Sequence, residues 1–163
     1  MARRVSELLT GMAGVYSEQL ALYGRLHEMT VLELSAIEAG DALGLAELLR
    51  LEDVLIGQAK ELEAMQRELR ELLCGLLPAQ RLDMDQLACL AEPRVYIRFK
   101  QLVGELNTML GMLEEQKKRN IVVLSEKLSL LRREGLALRQ GKQAADTYAG
   151  AGDDEGAVLD LKQ

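Results

Sequence analysis

Aromatic side chains are nearly missing from this sequence: no tryptophan, one phenylalanine (Phe99) and four tyrosines in 163 residues. Sheets cover their pleated faces with β-branched and aromatic residues, so the scarcity speaks against a sheet protein. Proline occurs twice, at Pro78 and Pro93, which leaves long stretches free to run as unbroken helix. Cysteine also occurs twice, at Cys74 and Cys89, with no C-x-x-C pair. In a cytosolic chain that predicts two free, partly buried thiols rather than a disulfide. The single histidine, His27, has no companions at ligand spacing and is expected at a surface or interface rather than on a metal. No apolar run approaches the roughly 18 residues of a membrane span, and no apolar core follows Arg3 and Arg4 as in a secretory leader. Neither membrane insertion nor secretion is expected, and the chain is expected to be cytoplasmic.

The motifs of catalysis are missing too. There is no GxGxxG, no GxxxxGK[ST], no GxSxG and no Glu-x-x-His pair of a di-metal bundle. No enzyme activity and no cofactor are expected. Net charge is −6. Five acidic residues (Asp146, Asp153, Asp154, Glu155, Asp160) against Lys162 give the segment 146–163 a charge of −4, leaving −2 for the rest. Nucleic-acid binding needs a basic face to displace counterions, and this balance argues against it. A zipper-type DNA binder is excluded on the same ground, because residues 33–47 hold four acidic residues and no Lys or Arg.

What is present is leucine, 34 of 163 residues, at helical spacing. Over residues 5–39, Val5, Leu8, Leu9, Met12, Val15, Tyr16, Leu22, Tyr23, Leu26 and Met29 recur at intervals of three and four, one face of a long helix. Gly40-Asp41 ends it: Gly suits the position past a helix end, and Asp suits the cap of the next helix. Over residues 42–77, Leu48, Leu55, Leu62, Leu69 and Leu76 follow one another at intervals of seven, with Leu45, Ala59 and Leu73 at the offset positions. This is a heptad seam, which keeps one stripe of a helix against a partner. The charged residues between them, among them Glu47, Glu52, Glu63 and Arg67, are expected in solvent.

Pro78 ends that helix. Asp83-Met-Asp-Gln86 predicts a cap with a back-bonding Gln, opening a short helix over 84–91. A fourth helix begins at Pro93 and carries Phe99, Leu102, Val103, Leu106, Met109, Leu110 and Leu113. The polar run 114–120 is either a turn or helix; the absence of Gly, Pro and Ser favours continuity to about residue 143. Gln19, Gln66 and Asn120 sit at stripe positions and read as uncharged polar layers that set register. The expected architecture is all-α: an elongated helical bundle or antiparallel coiled coil of three long helices plus one short helix. It spans residues 1–145, with an acidic, Gly-rich tail over 146–163 that has too little apolar surface to order itself.

About nine of the 14 glycines fall inside these helices, including Gly104 and Gly111, seven apart on one face. Either the helices are loosely optimised or the glycines admit close approach by another backbone. Long amphipathic helices without chemistry usually bind helices. In the fourth helix, Leu124, Leu128, Leu131 and Leu138 lie beside Arg132, Arg133 and Arg139, with little chain left to cover them. That stripe either packs on the first helix or is left for a partner.

Three stretches carry a family resemblance. The first is the helix exit Glu38-Ala-Gly-Asp41, followed by a Leu-rich helix bearing Glu63 and Arg67. The second is Asn120-Ile-Val-Val-Leu124, preceded by Lys117-Lys-Arg. The third is the ending Thr147-Tyr148-Ala-Gly-Ala-Gly152. In their order and spacing, over residues 5–152, they resemble the FlgN family of flagellar export chaperones. Ala149 departs from the family, which often places Gly directly after the Tyr. The resemblance implies a cytoplasmic chaperone that holds the C-terminal amphipathic helices of the hook–filament junction proteins FlgK and FlgL and delivers them to a membrane protein of the export gate. It implies client binding at Leu124, Leu128, Leu131 and Leu138, and export-gate contact at Tyr148. The alternative is a structural scaffold that self-associates, as a homodimer for instance, through the seam from Leu48 to Leu76.

Overall fold

The structure is a computed structural model and describes residues 1–149. It is all-α, with three long helices and one short one: α1 (Ala2–Ala39), α2 (Ala42–Leu76), α3 (Met84–Leu90) and α4 (Pro93–Ala149). The chain packs as two units, Met1–Val123 and Leu124–Gln163. Helix α4 supplies the last helix of the first unit and, from Leu124, the described part of the second.

Within the first unit, α1 and α2 form an antiparallel hairpin. Gly40 makes the turn in the left-handed region at φ 69°, and the N–H groups of Gly40 and Asp41 close back on the carbonyls of Ile37 and Ala36. This double closure satisfies the last free carbonyls of α1. Asp41 then caps α2, its Oδ1 accepting from Gly44 N at 2.9 Å. The 48–76 seam turns inward against α1. Leu55 is buried in the core, and Leu62, Leu69 and Leu76 pack against it.

Helix α2 ends two residues before Pro78. A turn closes from Gln80 N to the Leu77 carbonyl, with Gln80 at φ 51°. At α3, Asp83 Oδ1 accepts from the N–H groups of Asp85 and Gln86. The return bond of a capping box is not made: Gln86 Oε1 is buried without a partner. Leu87 of α3 is fully buried in the core. Ser6 Oγ accepts from Glu92 N at 2.9 Å, which brings the start of α4 to the start of α1. From there α4 runs parallel to α1: Phe99 stacks on Tyr16 with ring centroids 5.5 Å apart, and Asn120 bonds to Thr30. The core is Val5, Leu9, Met12 and Tyr16 against Leu73, Leu77, Leu87, Phe99 and Leu102. Leucine and methionine thus do the filling that aromatics do elsewhere.

The polar run 114–120 is helix throughout, and α4 continues past residue 143 to Ala149. Asp146 to Ala149 therefore belong to that helix; the rest of the acidic tail expected from residue 146 lies outside the described residues. Cys74 is half-buried and Cys89 exposed, both free, so the expectation of partial burial fails for Cys89. Among the described residues no helix is long and apolar enough to cross a membrane.

Candidate functional site

The four leucines of the distal stripe are all exposed: Leu124 37%, Leu128 47%, Leu131 62% and Leu138 75%. Leu130 and Leu136 beside them are also exposed. The register of α4 places these leucines beside its buried seam. That seam runs Phe99, Leu106, Leu113, Asn120, with Leu102, Met109 and Gln116 at the offset positions. Its next positions are Lys127, Glu134 and Gly141, and the next offset positions are Val123, Leu130 and Ala137. Leu124, Leu131 and Leu138 repeat at the same interval of seven, four residues on from Asn120, Lys127 and Glu134 and about 40° around the helix from them. The row that is buried up to Asn120 therefore turns polar or small, while leucines continue on the flank beside it. Tyr148 is 95% exposed on the last described turn of α4.

Two polar layers cross the first unit. In one, Gln19 Nε2 donates to Gln66 Oε1 at 3.0 Å, and Gln66 Nε2 donates to the Tyr16 hydroxyl at 3.1 Å. One turn further along α1, Tyr23 Oη donates to Glu63 Oε1 at 3.0 Å. Burial, and then the Glu63 carboxylate, push the Tyr23 phenol up to about 12. In the other layer, Asn120 Nδ2 donates to the Thr30 carbonyl at 2.7 Å and its Oδ1 accepts from Gln116 Nε2 at 2.9 Å. The three uncharged residues singled out in the sequence thus build the layers expected of them.

The second layer also holds charge, which the sequence reading missed. Glu33 of α1 and Glu52 of α2 are 7% and 6% exposed. Lys117 of α4 reaches Glu52, Nζ to Oε1 at 2.6 Å. Burial raises the Glu33 carboxyl to about 7, its hydrogen bond to Glu52 and that carboxylate's charge add to the rise, and Lys117 and Asn120 oppose it. Glu52 is desolvated too, but its bonds to Glu33 and Lys117 hold it below the ordinary carboxylate value. Glu52, expected in solvent, is inside because it falls seven residues after Leu45 and seven before Ala59. Glu33 falls seven after Leu26 and four before Ile37, on the buried face of α1.

Chemically, these groups suit packing and recognition. Among the described residues no three His, Cys, Asp or Glu side chains are placed to hold a metal. His27 is half-exposed, and its carbonyl accepts from Thr30 Oγ1 at 2.8 Å. Comparison with curated proteins and with solved structures returns no match. A family model, described as FlgN protein, matches residues 3–156. A match over nearly the whole length, on a chain of long helices, settles the family: the chain belongs to the FlgN family of flagellar export chaperones.

Proposed function

We propose that this chain is a cytoplasmic chaperone for hook–filament junction proteins of the FlgK and FlgL kind, and that it holds their C-terminal amphipathic helices on the distal face of α4. The observation that carries the reading is the exposed stripe Leu124, Leu128, Leu131 and Leu138, spaced by four, three and seven residues. Leucines at successive helical turns are the anchors by which one amphipathic helix receives another. An unassembled filament subunit with an apolar terminal helix is prone to aggregate, and reversible cover by such a stripe prevents it. Arg132, Arg133 and Arg139 flank the stripe and suit a client helix with acidic flanks. Tyr148, at the end of the same helix, is the contact to the export-gate membrane protein in this reading.

The test is calorimetry of the full chain with synthetic C-terminal helices of FlgK and FlgL from the same organism. Micromolar or tighter binding with a negative heat-capacity change, abolished by Leu128→Asp, is the expected result. No heat of binding to either helix by a folded protein sinks the reading.

A further inference from the structure

Two carboxyl side chains buried together require an explanation, because an ionised carboxylate out of water is costly unless paired. Glu33 and Glu52 meet in the second polar layer, with one cation between the two of them. Lys117 is partly exposed and makes its contact with Glu52. With both carboxyls ionised, Glu33 Oε1 is a buried acceptor that no donor faces. A proton on Glu33 changes both balances. The neutral carboxyl becomes a donor to Glu52, and the layer's charge falls from −1 to zero. The groups that act on Glu33 are Glu52 from α2 and Lys117 and Asn120 from α4, so all three long helices meet at this proton.

We propose that the Glu33–Glu52 pair is a proton-dependent latch: sharing one proton, it fastens residues 116–120 of α4 to α1 and α2, and losing that proton it loosens them. The latch binds α4 through Lys117 and Asn120, within two turns of the residue at which the exposed leucine stripe begins. Burial of Glu33, with Glu52 beside it, places the change at about pH 7 rather than in the ordinary carboxylate range. The layer therefore answers to changes around neutrality, where few side chains other than histidine respond. The inference concerns the free protein and does not depend on which client the chain binds.

The experiment follows the full chain by two measurements. The first is a carbon-13 NMR titration of the Glu33 side-chain carboxyl, with a midpoint expected at about 7. The second is amide hydrogen exchange at pH 6 and pH 8, corrected for intrinsic rates. Protection over residues 113–121 is expected to fall by about tenfold, one pK unit's worth. Amides around Leu9 and Leu73, in the apolar core, are expected to hold theirs. Glu33→Gln keeps a neutral donor facing Glu52 and is expected to remove the pH response while leaving the protection high. A Glu33 midpoint in the ordinary carboxylate range overturns the latch. So does a pH-dependent loss of protection that persists in Glu33→Gln.

Discussion

Lys117 on α4 and Glu52 on α2 form an ion pair of unequal partners: Nζ and Oε1 are 2.6 Å apart, yet the lysine side chain is 43% exposed and the glutamate 8%. The lysine keeps much of its hydration while the carboxylate has given up nearly all of its own. Removing the lysine strands a buried charge, whereas removing the glutamate frees a cation already at the surface. Lys117→Met is therefore expected to destabilise by about 1–2 kcal/mol, less than a fully buried pair because solvent screens the lysine. Glu52→Gln/Lys117→Met is expected to recover most of that loss. Urea unfolding midpoints at constant slope check both.

Stability should depend on pH through Glu33, and the sign follows from its neighbours. Its folded carboxyl is raised to about 7, above its unfolded value, so the native state holds the proton more tightly. That contribution is fully present below the unfolded carboxylate value and is lost as pH rises through about 7. Glu52, held low, acts in the opposite sense, and its contribution is lost only as pH falls into the acid range. Between pH 5 and 8 the Glu33 effect dominates. The melting temperature is expected to drop by roughly 5 °C across that interval and to stay nearly flat in Glu33→Gln. A wild-type curve as flat as the variant's would contradict the assignment.

Glycines in the turn between α1 and α2 and glycines within α4 support opposite predictions. Gly40 sits at φ 69°, where Ala is strained, so Gly40→Ala is expected to cost about 1 kcal/mol. At Gly44, an added Cβ would collide with the Asp41 carboxylate that caps the helix. Gly44→Ala is therefore expected to destabilise, and Asp41→Ala to cost about 1 kcal/mol through the lost cap. Gly104 and Gly111 are different, since a Cβ there meets nothing within 4 Å. Each change to Ala is expected to stabilise by about 0.5–1 kcal/mol. Thermal unfolding of the four glycine variants separates the two groups by sign.

How far the sequence revealed this structure depended on whether period or residue type was followed. The α1–α2 hairpin was legible because Gly40-Asp41 and the seven-residue leucine interval point the same way. Glu52 was misplaced because its charge was read ahead of its position, although Leu45 and Ala59 bracket it at seven residues on each side. Helix α4 outruns the expectation because the small and acidic residues after Ala145 read as a tail, yet no Gly or Pro interrupts residues 142–149. Gln86 was expected to return a bond to the cap of α3, but its Oε1 is buried unpaired, and nothing in the short motif distinguishes the two outcomes. The stripe from Leu124 was legible from its helical spacing. The four-residue step from Asn120 to Leu124, which sets the stripe on the flank of the buried seam, was also in the sequence, and it became visible only once the seam was known.

The core and the stripe should respond oppositely to single substitutions. Phe99 is fully buried and stacked on Tyr16, so Phe99→Ala is expected to cost about 3–5 kcal/mol in urea unfolding. Leu128 is 47% exposed, and Leu128→Asp is expected to change stability by no more than about 0.5 kcal/mol. If the stripe receives client helices, Leu128→Asp abolishes peptide binding while the melting temperature stays in place, because an ionised carboxylate cannot enter an apolar helix interface without losing its water. Tyr148→Ala, two turns and more beyond Leu138, is expected to leave both peptide affinity and stability unchanged, and if Tyr148 contacts the export gate as proposed, to weaken binding to the export-gate protein alone. A Leu128→Asp protein that binds the client helices with wild-type affinity would show that the exposed stripe is not the surface that holds them.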